Sequence, residues 1–233
     1  MKSEKRIFYR KLWGLILPIT IQNLMTALVS ASDAFMLGFV NQTSLSAVSL
    51  ATQVQFVHNL FMLALTIGAT TLAAQYWGKK DQDTVESVLA INMRASLLVG
   101  AVFTLATFLI PETIMHFFTS DSNLIAIGGK YLRTVSLSYV LMGFSQTYFG
   151  IMKVCDNAKL SSIIGSLAVV VNIIMNGCLI FGMGFFPKMG ISGAALATVI
   201  ARVFEVVFVV VVILRGKCIP LRIKKLLSIS HGQ

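Results

Sequence analysis

The segment LVSASDAFMLGFV, residues 28–40, holds a carboxylate inside an apolar run. Asp33 is the one charged side chain from Leu12 to Val40. As a helix that run is roughly 43 Å long, against a hydrocarbon core of about 30 Å. An ionised acid in such a place is costly unless it faces protein or water, so acids within spans mark ion or proton paths. Gln22, Asn23, Thr26 and Ser30 precede Asp33 on the same segment. At 3.6 residues per turn all five fall within an arc of roughly 100°. Such a stripe either lines a cavity or glues helices together through hydrogen bonds. For Asp33 the cost of burial favours the cavity. Pro18, one turn before Gln22, deprives the Gly14 carbonyl of its donor and predicts a kink.

The segment VVVNIIMNGCLIFG places Asn172 and Asn176 at i and i+4, on one helical face that Gly165 and Ser161 continue. Two carboxamides can share a proton with a carboxyl group or offer oxygens to a cation. Tyr139, Gly143, Gln146 and Gly150 recur at spacings of 4, 3 and 4. This makes Tyr139 and Gln146 candidate cavity residues, with the glycines leaving room for a neighbouring backbone or a ligand. Gln55 and Asn59 lie one turn apart with His58 beside them, and His58 reads as hydrogen-bonded structure rather than a proton relay. Gly193, Ala197 and Ala201 form one small-residue ridge, and Gly190, Ala194 and Thr198 another; both predict close helix contacts. Arg202 and Glu205, at i and i+3, read as a structural pair that neutralises itself.

These residues need spans to carry them. Hydrophobic residues make up 56% of the 233 positions and charged ones 12%, with a mean hydropathy of +0.83. Soluble proteins carry about 25% charged residues. The apolar residues come in blocks rather than stripes, which predicts an all-α polytopic membrane protein, a six-helix bundle. The spans are placed at about 12–40, 45–76, 88–110, 126–152, 160–185 and 191–214, as one transmembrane lobe over residues 1–214. Residues 215–233 read as a basic cytoplasmic tail or the start of a linker. Fifteen of the 19 Lys and Arg residues fall on one side of this arrangement, which puts both termini in the cytoplasm of a cell with the chain in its inner (plasma) membrane. The same distribution explains the net charge of +10 and excludes nucleic acid as its cause, since no groove-reading motif or aromatic platform accompanies the basic residues. Cys155, Cys178 and Cys218 have no metal-type spacing and read as thiols. No paired-carboxylate arrangement, HExxH, GxSxG or phosphate loop is present, so no enzyme is expected.

The segments LPITIQNLMTALVSASDAFMLGFV, LTIGATTLAAQYWGKKD, GIMKVCDNAKLSSIIG, VVVNIIMNGCLIFG and GISGAALATVIAR, taken in order, resemble the multidrug and toxic compound extrusion (MATE) family of cation-coupled efflux transporters. The likeness runs from residue 8 to about 214. It implies the six-helix N-terminal lobe of such a transporter. In that lobe Asp33 exchanges protons or binds sodium beside Asn172, so both are implied sodium ligands. Many members carry a second carboxylate one turn later, where this chain has Asn176. The family has twelve helices in two lobes, whereas this chain has six, which implies a fragment completed by a second lobe or a second copy.

The resulting expectation is a secondary antiporter that exports organic, cationic small molecules through the bilayer, driven by protons or sodium, with no other cofactor. A flippase for lipid-linked sugars and a non-transporting membrane assembly subunit are the competing readings. Phe and Met are abundant (16 and 11), which suits lipophilic cations and lipid contact equally.

Overall fold

The computed structural model describes residues 2–39, 41–183, 186–216 and 219. Eight helices lie among them: α1 (Lys2–Gly38), α2 (Gln42–Gly78), α3 (Gln82–Leu109), α4 (Pro111–His116), α5 (Ser122–Val135), α6 (Leu137–Val154), α7 (Ala158–Phe181) and α8 (Ile191–Leu214). No strand occurs among the described residues. The chain is an all-α polytopic membrane protein. With no water in hydrocarbon, a helix satisfies its backbone within itself, and long apolar runs take that form.

Five helices are long and apolar enough to cross a bilayer: Leu12–Gly38, Gln42–Gly78, Gln82–Leu109, Ala158–Phe181 and Ile191–Leu214. The first belongs to a longer helix, because the basic N-terminal segment is also helical and α1 continues through Pro18. The remaining predicted span, 126–152, is two helices, α5 and α6, meeting at Ser136. The cause is a competing donor. Thr104 Oγ1 on α3 donates to the Ser136 carbonyl at 2.9 Å, and Ser136 Oγ donates back to the Arg133 carbonyl at 2.9 Å. Side chains inserted into the backbone ladder bend or break helices. Thr104→Val removes that donor, so it is expected to lower thermal stability in detergent by about 1 kcal/mol. An unchanged melting midpoint would show that the carbonyl needs no help from α3.

Short polar turns cap the helices. Asn41 accepts from Ser44 N (2.6 Å), Asp81 from Thr84 N (3.1 Å), and Asp121 from Asn123 N and Leu124 N (2.8 and 3.3 Å). Each satisfies an N–H that has no partner within its own helix. Two buried clusters then hold the bundle at opposite ends. One joins Leu37 of α1, Val48 and Val54 of α2, Tyr131 and Leu132 of α5, Ile180 of α7 and Ala194 of α8. The other joins Ala73 of α2, Leu89 and Met93 of α3, Phe149 and Met152 of α6, Ile164 of α7 and Val209 of α8. Ile219 belongs to this second cluster, and its carbonyl accepts from Tyr148 Oη at 3.3 Å. Apart from Arg215, Gly216 and Ile219, the predicted tail lies outside the described residues, as does Cys218. Cys155 is buried and Cys178 half-buried, and both are thiols.

The predicted glycine contacts are present on α6. A Cβ at Gly143 would sit 2.8 Å from the Ser96 carbonyl oxygen of α3, and one at Gly150 would sit 2.8 Å from Thr66 Cγ2 of α2. α3 and α6 therefore touch along their backbones, the packing that small residues permit in a membrane.

Candidate functional site

Between the two clusters lies a cavity of about 410 Å³, within the range of small-molecule sites. Its walls come from six helices, α1, α2 and α5 to α8. α1 and α7 run in the same sense and are locked in register by two contacts. At one, the Gln22 side chain lies over Gly165, where a Cβ would fall 2.6 Å from Gln22 Nε2. At the other, 11 residues on in both helices, Asn176 Nδ2 donates to Asp33 Oδ1. Equal separations on two parallel helices make the two contacts mutually consistent, about 16 Å apart along the axis.

The same Nδ2 donates to Asn172 Oδ1 at 3.1 Å. Asn172 and Asn176 are buried, while Asp33 is only partly buried and reaches the cavity. The acid predicted on α1 and the amides predicted on α7 therefore form one connected group. Asn176 Oδ1 in this group lacks a partner, as do Gln22 Oε1 and Asn59 Oδ1 elsewhere on the cavity wall. A buried acceptor without a donor is costly, so such a wall favours ligands that bring N–H groups or a cation.

Gln22, Thr26, Asp33, Gln146 and Asn172 line the cavity. Asn23 is exposed and lies off the cavity wall. Thr26 is partly self-satisfied, its Oγ1 donating to the Gln22 carbonyl at 3.0 Å. The Ser30 side chain lies outside the described residues. Tyr139 is not on the cavity wall. It is buried with its ring 5.0 Å from that of His58 and 6.0 Å from that of Phe103. The small residues beside it bring α3 within contact, which turns its ring into the core. His58 is fully buried against both rings, with neither ring nitrogen hydrogen-bonded. The expected hydrogen-bonded histidine is thus an aromatic-packed one.

Sequence reasoning left out half of the wall. Gln55 and Asn59 of α2, Tyr131 of α5, and Thr198, Arg202 and Glu205 of α8 also face the cavity. The signal for Arg202 and Glu205 was present, since charges within a span face a cavity or a partner. Arg202 Nη1 donates to Glu205 Oε2 at 2.5 Å, so they do pair, but on the cavity wall. No group of three or more His, Cys, Asp or Glu side chains fit to hold a metal occurs among the described residues.

The fold is a multi-helix membrane bundle enclosing a polar, acid-bearing cavity. The chain belongs to the MatE family, whose sequence model matches residues 18–177. It is 25% identical over 86% of its length to "Probable multidrug resistance protein NorM" of Thermotoga maritima, covering 43% of that protein. It is 28% identical over 91% of its length to "Multidrug export protein MepA" of Staphylococcus saprophyticus, covering 46% of it. Among solved structures it superposes with a TM-score of 0.83 and 20% identity on "Outward-facing conformation of a multidrug resistance MATE family transporter of the MOP superfamily", over 94% of this chain and 48% of that one. A transporter of the MOP superfamily from Pyrococcus furiosus gives the same TM-score and coverage. The chain spans about half the length of the relatives it matches.

Proposed function

We propose that this chain is one lobe of a cation-coupled antiporter that exports organic cations, working with a second lobe or a second copy of itself, with both termini in the cytoplasm. The observation that carries this reading is the Asp33 carboxylate, set at the cavity wall by the amide of Asn176. The charged residues lining the cavity are Asp33, Arg202 and Glu205, a net charge of one negative. That balance favours a cationic solute over the phosphate-bearing head of a lipid-linked sugar.

In the mechanism, Asp33 takes up a proton or a sodium ion from outside. Protonation converts one acceptor oxygen into a donor, which can be met by the unpartnered Asn176 Oδ1. Sodium would instead use the carboxylate and the amide oxygens of Asn172 and Asn176, a hard-oxygen donor set. Either event cancels the negative charge that holds an organic cation, so ion and solute compete for one site. Asn176, in place of a second acid, leaves a single titratable carboxylate in this group and sets the expected exchange at one charge per cycle.

The test is efflux of ethidium from proteoliposomes holding the purified chain, under an imposed proton or sodium gradient. Export is expected to stop when the driving gradient is collapsed by an ionophore. Export that persists with both gradients collapsed would refute coupling.

A further inference from the structure

A second cavity, of about 280 Å³, lies between α2 and α6. Thr66 and Thr70 of α2 face Gln146, Gly150, Lys153 and Val154 of α6 across it. The threonines are one turn apart, and Gln146, Gly150 and Lys153 follow at i, i+4 and i+7, so each helix contributes one face. The faces close on Gly150, where a Cβ would stand 2.8 Å from Thr66 Cγ2 and 3.2 Å from Thr70 Cγ2. Gln146 also lines the larger cavity, so the two spaces adjoin there.

Lys153 is half-buried and is the one charged side chain among these lining residues. Among the described residues it has no hydrogen bond or ion pair. The acid three residues on, Asp156, accepts instead from Trp77 Nε1 at 3.3 Å. Thr70 Oγ1 donates to the Thr66 carbonyl at 2.7 Å, which leaves the Thr66 hydroxyl, the Gln146 amide and the Lys153 ammonium as donors on the wall. An ammonium has three donors and no acceptor, and drawing it out of water without a counter-ion is costly. The wall therefore suits an anion, and its single positive charge suits a monoanion.

The site lies near one end of the bundle. α2 and α6 run in the same sense: Thr70 lies against Gly150, and Trp77 meets Asp156, seven and six residues on. At 1.5 Å per residue, Lys153 stops about one turn short of Trp77. An indole at the end of a span sits at headgroup depth. Lys79, Lys80 and Lys159 lie at this same end, and such clusters attract anionic lipid. We infer that Lys153, Thr66 and Gln146 form a binding site for a phosphate ester between α2 and α6, apart from the solute cavity. A phospholipid headgroup and a soluble phosphate ester carry this group alike. The site does not depend on ion coupling at Asp33.

The experiment titrates the purified chain in maltoside detergent with dioctanoyl phosphatidylglycerol and, separately, with glycerol 1-phosphate, by isothermal calorimetry. Lys153→Gln is expected to weaken binding roughly tenfold, the scale of one charge-assisted hydrogen bond. Thr66→Val, which removes a neutral donor, is expected to weaken it roughly threefold. Lys153→Arg keeps the charge and is expected to retain most of the affinity. Lys159→Gln removes an exposed charge at the same end and is expected to leave binding unchanged. The fold of Lys153→Gln is not at risk, since the substitution deletes an uncompensated charge. Binding of glycerol 1-phosphate that depends on Lys153 assigns the site to soluble phosphate esters. Its absence beside lipid binding that depends on Lys153 assigns the site to a headgroup. No binding of either ligand, or binding that Lys153→Gln leaves intact, would overturn the inference. So would a Lys159→Gln variant weakened as much as Lys153→Gln, because the lipid would then be reading the general charge of this end.

Discussion

Replacing Asp33 by Asn is expected to abolish solute accumulation against a gradient while leaving the protein folded and inserted. The size of the effect follows from the ion gradient, because exchange of one ion for one monovalent organic cation moves no net charge. A tenfold ion gradient, about 1.4 kcal/mol, sustains roughly a tenfold solute ratio. An exchanger whose single carboxylate is lost has nothing to couple, so the ratio falls to about one. The fold is not at risk, because Asn is isosteric and its amide oxygen can still accept from Asn176 Nδ2, the donor that now serves Asp33 and Asn172. Removing a charge from a partly buried site also removes its desolvation cost, so the melting midpoint should hold or rise. The measurement pairs the steady-state ratio in proteoliposomes with thermal unfolding of the same sample. A variant that still concentrates ethidium would show that coupling resides elsewhere in the bundle.

How much of this could be read from the residues alone depends on the kind of contact. Gln22, Thr26 and Asp33 on α1 and the α7 amides were legible because a 3.6-residue period and the cost of polar groups in hydrocarbon act within one helix, whereas Asn23, on the same arc, is exposed and off the wall. The meeting of the two helices was not legible, since it depends on the shared 11-residue register of Gln22 over Gly165 and Asp33 beside Asn176. The break at Ser136 was hidden for the same reason: the residue that causes it, Thr104, lies 32 positions away. Tyr139 has the spacing of a cavity residue, yet its ring turns to His58 and Phe103, a choice made by the close approach of α3. Arg202 and Glu205 were recognised as a pair, but the intrahelical pairing that explained their charge also concealed where the guanidinium points. Local spacing identifies which groups need a partner. Only packing says which partner each group finds.

The small-residue ridge on α8 is the clearest case where spacing and packing agree, and it carries the largest expected effect on stability. Gly193 lies against the end of α7, where a Cβ would stand 2.6 Å from the Leu179 carbonyl oxygen and 2.7 Å from its carbon. Those are backbone atoms, so no rotamer change relieves the clash. The same carbonyl accepts from Met189 N at 2.9 Å and ties the connection between α7 and α8 to the helix end. Gly193→Ala must therefore push α8 away or break that bond. The expected cost is about 2 kcal/mol, within the range for overpacking a well-filled contact. Gly177, within α7, is the control, since a Cβ there meets nothing within 4 Å. Gly177→Ala is expected to be neutral or stabilising by up to about 1 kcal/mol, the helix-propensity gain. Thermal unfolding of the two variants in one detergent separates the outcomes. Because α8 also carries Thr198 and Arg202 on the cavity wall, Gly193→Ala should weaken ethidium binding as well as stability. A Gly193→Ala protein as stable as Gly177→Ala would mean that α7 and α8 do not approach as closely as their backbones require.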